Sequence, residues 1–149
     1  MKVHGFSAPA HAFVHRFQVT SADIDGLGHA NNVVWVRWVN EAAIAHCEAV
    51  GFGPEVCVQL KCQCDVRRHD IEYLLHALAG QTLEACTWPE TLRGVSSMRR
   101  TLFRCEGQVL ARAETTWIMI DLETGKPKRV PLEFARAFGY VEPGAPALE

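Results

Sequence analysis

No excess of one charge, no long apolar run and no paired-cysteine motif marks this chain, and each absence excludes something. Fifteen basic residues against seventeen acidic ones leave a net charge of −2, which gives no general attraction to nucleic acid or to an anionic membrane. The longest apolar stretch, residues 33–50, is broken by Arg37, Asn40, Glu41, His46 and Glu48, so it does not read as a membrane span. Among the six cysteines, Cys47, Cys57, Cys62, Cys64, Cys86 and Cys105, no pair has the two-residue gap of a zinc knuckle. Met1 to Pro9 lacks the apolar core of a secretory signal. These features read as a cytoplasmic protein whose reduced cysteines serve as small hydrophobes. Linkers, repeats and low-complexity tracts are lacking too. The 149 residues therefore read as one domain, 1–149, with loose ends at about 1–10 and 142–149.

What is present is an ordinary globular composition, 48% hydrophobic and 21% charged. Arginine dominates the basic residues, and the guanidinium fork suits phosphate. His11 to Val19 alternates with the period of a half-buried strand. Val33 to Val50, closed by Gly51, reads as a helix of roughly 27 Å. Its polar residues fall on one narrow face, as expected of a helix surrounded by other structure. Strand periodicity then runs on: Val56 to Val66 alternates, and the phase slips near Arg67 and Arg68 as a bulge would make it. Ile71 and Tyr73 follow as buried-type residues. Thr82 to Trp88 reads as a strand stopped by Pro89, and residues 95–105 and 109–121 as a hairpin around Glu106-Gly107-Gln108. Pro131 to Phe138 reads as a short closing helix. One helix and a run of antiparallel strands make an α+β domain.

Between the first strand and the helix lies the chemically richest stretch, Thr20-Ser21-Ala22-Asp23-Ile24-Asp25-Gly26-Leu27-Gly28-His29-Ala30-Asn31-Asn32. As a calcium loop it fails, with Leu27 and Val34 where ligands belong. As a dinucleotide fingerprint it is broken, and neither a G-x-S-x-G elbow nor an H-E-x-x-H pair occurs. Two readings stay open on residue types: Asp25, His29 and Asn31 organise a tight turn through Asx-type bonds, or they present a site. A zinc site from Asp23, Asp25 and His29 is a minor third.

The pattern Asp23-x-Asp25-x-x-Gly28-His29-x-Asn31-Asn32, followed by an aromatic residue and a long helix, resembles the hotdog-fold thioesterases of the hydroxybenzoyl-CoA thioesterase type. These include the bacterial acyl-CoA thioester hydrolases and, more distantly, the plant acyl carrier protein thioesterases. Weaker matches follow at Arg67-Arg68-His69-Asp70-Ile71-Glu72-Tyr73-Leu74, Gly80-Gln81-Thr82-Leu83 and Asp121 to Pro127. The resemblance implies a hotdog fold, an antiparallel sheet wrapped around one long helix, assembled as a homodimer or homotetramer. It implies an acyl-CoA thioesterase that needs no metal or other cofactor. Asp25 takes the place of the catalytic carboxylate, as nucleophile or general base. A backbone N–H near Asn32 takes that of the carbonyl-polarising donor, in keeping with the free amides of a helix start. His29 either positions the carboxylate or substrate, or holds the loop. Asn31 belongs to helix capping or to the substrate side of the loop. Trp35 stands where tyrosine is common and divides between acyl wall and core. Arg67 and Arg68 are candidates for the CoA phosphates. Ser97 stands where some relatives bring a partner-subunit polar residue toward the thioester. Leu27 replaces the asparagine of the plant branch, so the acyl-CoA branch fits better. Two alternatives share the scaffold: a hotdog hydratase or dehydratase, tested with enoyl-CoA, and a non-catalytic acyl-CoA binding protein, which binds without releasing thiol.

Overall fold

Alternating side chains from Phe13 to Gln18 form β1, and the chain then turns through a 3₁₀ segment, Ser21–Asp23. The long helix α1 spans Asn32–Ala49, and Gly51, at φ 87°, supplies the left-handed residue that ends it. A short helix α2, Pro54–Gln59, follows, then β2 (Cys62–Tyr73), β3 (Thr82–Arg93), β4 (Ser96–Cys105), β5 (Gln108–Asp121) and a closing helix α3 (Leu132–Ala137). The computed structural model describes residues 5–140; the tail expected at 142–149 lies outside them. From Gly5 on the lead-in is visible, and Phe6 sits edge-on against Trp88 with ring centroids 5.7 Å apart.

The five strands form one antiparallel sheet in the order β1-β3-β4-β5-β2. Helix α1 lies against it, as expected for an α+β fold with a sheet around one helix. Trp35, Trp38, Val39 and Ala42 meet Leu83, Ala85, Phe103, Ala111 and Ala113 in the main core. Trp35 packs edge-on against both Trp38 and Phe103, at 4.9 and 5.2 Å between ring centroids, a geometry that the ring quadrupoles favour. A second cluster, with Cys57, Cys62, Leu92, Met119 and Phe134, fills the space beneath α2 and α3. All six cysteines are free, and Cys57, Cys62, Cys86 and Cys105 are buried.

Four expectations are corrected. Val56, Val58 and Leu60 are not strand residues: Pro54 occupies the first turn of α2, where its fixed φ favours helix. Over five residues, alternation is too short to exclude a helix, and the strand starts only at Cys62, after Lys61 turns the chain at φ 57°. Secondly, β3 does not stop at Trp88 but continues to Arg93. β1 covers β3 only as far as Thr87, so Pro89 lies beyond that pairing, where its missing N–H deprives no partner strand, and the β4 register shifts beside it. Thirdly, α1 is covered on one face only. Val33 is 73% exposed, and Ile44 shares the open face with Arg37, Glu41 and Glu48. A single five-stranded sheet reaches round one side of a helix and leaves the other open. Fourthly, Tyr73 is exposed, since it stands at the end of an edge strand.

The expected bulge is present. β2 pairs with β5 in one register up to Val66 and in a shifted one from Arg68, which moves the inward-facing phase of the strand. The β4–β5 hairpin closes through Glu106 and Gly107, both left-handed at φ 49° and 80°, as a two-residue type I′ turn requires.

Candidate active site

Asp23 builds the loop. Only 4% exposed, its carboxylate accepts the Thr20 N–H and hydroxyl at 3.0 and 3.2 Å and the Arg37 Nη2 at 2.6 Å. Its backbone carbonyl accepts the Asn31 N–H at 2.9 Å. Burial by itself raises the pKa of this carboxyl. The Thr20 N–H, the Arg37 guanidinium and the Thr20 hydroxyl outweigh it and hold the group below the usual carboxylate value. With its oxygens occupied in this way, Asp23 anchors the start of the loop to α1 and is not available as a zinc ligand.

Asp25 is placed differently. Its N–H donates to the His29 carbonyl at 3.0 Å, and its carbonyl accepts the Gly28 N–H at 3.2 Å, closing a tight turn. Gly28 takes φ 89°, a conformation open to glycine. The Asp25 Oδ1 accepts the Leu27 N–H at 2.8 Å, an Asx turn. Oδ2 has no partner among the described residues. His29 Nδ1 lies 3.9 Å from Oδ1, within ion-pair range but too long for a hydrogen bond. Both side chains are about a quarter exposed, so a ligand can reach them.

The helix start follows directly. Asn31 is the N-cap, and its Oδ1 accepts the Val33 N–H at 3.0 Å while its carbonyl accepts the Val34 N–H at 3.0 Å. That leaves the Asn32 N–H without a partner among the described residues, at the positive end of an 18-residue helix. Tyr73 Oη donates to the Asn32 carbonyl at 3.3 Å and ties the end of β2 to this point.

Sequence reasoning missed His76. Its ring stacks on that of His29, with centroids 3.7 Å apart and planes 10° from parallel. The contact exists because the Ala30 N–H donates to the Ala77 carbonyl at 2.8 Å, clamping the loop to the segment after β2. No local pattern around His76 signals a partner so far back in the sequence.

The other candidates divide. Trp35 is 3% exposed and wedged among Trp38, Tyr73 and Phe103, in the core. Arg67 and Arg68 sit exposed at the β2 bulge, with Arg68 Nη2 paired to Asp70 at 3.0 Å. Arg68 stands at the middle of β2 and Tyr73 at its end, so these arginines lie roughly 17 Å along the strand from the helix start. Ser97 pairs with Trp117, which pairs with Val66, and so lies level with the bulge on the far side of β5. Within one chain, the structure brings together Asp25, His29, His76 and the Asn32 amide, and sets Arg67, Arg68 and Ser97 apart from them.

A family model described as the thioesterase-like superfamily matches residues 19–138, a span that includes the loop, α1 and β2 to β5. Among solved structures, a thioesterase-superfamily protein from Jannaschia sp. CCS1 aligns at TM-score 0.84 and 20% identity, covering 91% of this chain and 96% of that one. A 1,4-dihydroxy-2-naphthoyl-CoA thioesterase from Synechocystis aligns at TM-score 0.78 and 19% identity, covering 85% and 95%. A gentisyl-coenzyme A thioesterase aligns at 0.75 and 19%, covering 85% and 98%. At such identities these structures show a common fold. No curated protein matches the chain. With the family match spanning most of its length and the antiparallel sheet laid on one long helix, the chain belongs to the thioesterase-like superfamily and has its hotdog fold.

Proposed function

We propose that the protein is an acyl-CoA thioesterase, releasing free carboxylic acid and CoA at the loop between β1 and α1. The observation that carries this reading is a carboxylate with a spare oxygen, Asp25, on the same short loop as an unpaired helix-start amide, Asn32 N–H. Membership of the superfamily supports thioester hydrolysis. Two of the structural neighbours are named for CoA thioesters, which supports CoA as the leaving group.

The Asn32 N–H polarises the thioester carbonyl and stabilises the oxyanion, where one well-placed donor is worth about 3 kcal/mol. Asp25 acts by one of two routes. As a general base it takes a proton from water as the water attacks the carbonyl carbon, and the C–S bond breaks to release CoA thiolate. As a nucleophile it displaces the thiolate to form a mixed anhydride, which water then cleaves. Appearance of heavy oxygen in Asp25 after a single turnover in labelled water establishes the second route. His29, backed by the His76 ring, positions the carboxylate.

The same reading includes a homodimer, alone or doubled into a tetramer. β2 is an edge strand, and an unpaired edge is a liability that a second copy removes. The loop region is greasy and open: Leu27 is 79% exposed, with Val33, Tyr73, Leu74 and Leu75 also exposed. Two β2 edges paired about a twofold axis run antiparallel, which sets the Tyr73 end of one copy beside the Cys62 end of the other and brings the two bulges near the axis. Arg67 and Arg68, at mid-strand, then lie near the axis between the two helix starts, as candidates for the CoA phosphates.

Asp25→Asn tests the assignment. Turnover of an acyl-CoA panel, followed by thiol release, is expected to fall about 10²–10⁴-fold, with the melting temperature unchanged. An Asp25→Asn variant that melts normally and hydrolyses at the wild-type rate rules out the proposed chemistry.

A further inference from the structure

Beside the second half of α1, away from the loop, α1, α2, α3 and the sheet form a half-open cavity of about 630 Å³. That size is typical of small-molecule sites. Most of its wall is apolar, including Ile44, Phe52, Leu92, Phe134 and Phe138. Set into this wall is Arg99, only 5% exposed.

Arg99 has no carboxylate partner among the described residues. Its Nη1 donates to His46 Nδ1 at 2.9 Å and to Thr87 Oγ1 at 3.2 Å, and its Cζ lies 5.5 Å from the centre of the Phe138 ring. Both acceptors are neutral. Burial, with the Arg99 charge and His11 adding to it, pushes the His46 pKa down to about 3. The nearby thiols are neutral as well, since burial pushes Cys64 up to about 12 and raises Cys47. Asp65, the carboxylate on the cavity rim, takes Gln63 Nε2 at 2.9 Å and is exposed. Two further polar atoms on the lining, Trp117 Nε1 and Asn40 Oδ1, are buried without partners among the described residues.

A buried guanidinium without a counter-ion costs several kcal/mol. If Arg99 only strapped β4 to β3 and α1, a neutral donor would do the same at far lower cost. Of its five N–H donors, those on Nε and Nη2 have no partner among the described residues, and that fork is the one a carboxylate fills with two parallel bonds. The Trp117 indole N–H adds a third donor on the same wall.

We propose that this cavity holds the far end of the substrate's acyl chain and that this end carries a carboxylate bound by Arg99, so that the preferred thioester is the half-CoA ester of a dicarboxylic acid. The proposal rests on the thioesterase reading and on its paired copies, because the antiparallel β2 edges set the cavity of one copy beside the loop of the other.

Binding and turnover test it on the intact protein. By titration calorimetry, octanoate binds the wild type and octanamide at least tenfold more weakly. Arg99→Met loses octanoate binding, and Trp117→Phe, which keeps an aromatic ring and removes the N–H, weakens it about tenfold. In hydrolysis, kcat/KM for suberoyl-CoA exceeds that for octanoyl-CoA at least tenfold, and in Arg99→Met the ratio falls to about one. Equal binding of octanoate and octanamide overturns the cavity site. Tight octanoate binding with no suberoyl preference overturns the substrate class. If neither thioester is hydrolysed while octanoate still binds through Arg99, the thioesterase reading fails and the anion site stands.

Discussion

Two aspartates separated by one residue are assigned opposite duties, and substituting each by alanine separates scaffold from chemistry. Asp23→Ala deletes two bonds from Thr20 and one from Arg37. Losing a cap of the Thr20 type costs about 1 kcal/mol. Arg37 is half exposed and keeps Glu41 as a second partner at 3.3 Å, so its bond contributes at most about 1 kcal/mol. The expected loss is about 2 kcal/mol, which lowers the melting temperature by roughly 4–8 °C in a domain of this size. Asp25→Ala removes one exposed side-chain bond, to the Leu27 N–H, and is expected to stay within about 0.5 kcal/mol of the wild type. Circular dichroism melts and urea titrations followed by tryptophan fluorescence measure both. Because the native carboxyl of Asp23 is held below its ordinary value of 3.8, its contribution is present above that pH. It is lost as the pH falls below, so the wild type and Asp23→Ala converge in stability in acid. A normal melt for Asp23→Ala, or a greater loss in Asp25→Ala, refutes the division of roles.

Three other outcomes are expected. The native pKa of His46, about 3 against 6.5 for the free side chain, means that the neutral form stabilises the fold. That contribution is present above pH 6.5 and lost as the pH falls toward 3; between about pH 7 and 5 the loss is at most about 2 kcal/mol. His46→Gln, which cannot titrate, is expected to show a correspondingly smaller drop in urea unfolding, and an identical pH dependence disproves the assignment. Glu106→Asn places a residue that tolerates φ 49° at the first position of the type I′ turn, and a gain of about 0.5 kcal/mol is expected in the same titration. For His76→Ala, loss of a ring stack worth about 0.5–1.5 kcal/mol is expected to lower the melting temperature by about 1–6 °C and kcat/KM by up to about tenfold, and His76→Phe to restore both. A wild-type rate in His76→Ala removes His76 from the site.

Much of this molecule is legible along the chain because the forces involved are local. Period-two alternation placed β1, β2 from Cys62 to the bulge, β4 and β5, and the run closed by Gly51 placed α1. An N-cap asparagine and an Asx turn are bonds between near neighbours, so Asp25, Asn31 and the helix start are visible in the spacing itself. Misreadings came where a local signal was short or ambiguous: the alternating residues at 56–60 became helix once Pro54 opened a turn, and Pro89 sat inside a strand because its neighbour β1 had already ended. What only the tertiary structure decided depends on residues far apart in sequence. The Ala30–Ala77 clamp lays His76 on His29, and the sheet buries Trp35. The packing of α1, α2 and α3 over the sheet sets Arg99, which looks like any surface arginine in the sequence, in the wall of an apolar cavity with no carboxylate partner among the described residues. Burial and charge pairing belong to the folded whole, because the free energy of a charge is set by what surrounds it and not by its neighbours along the chain.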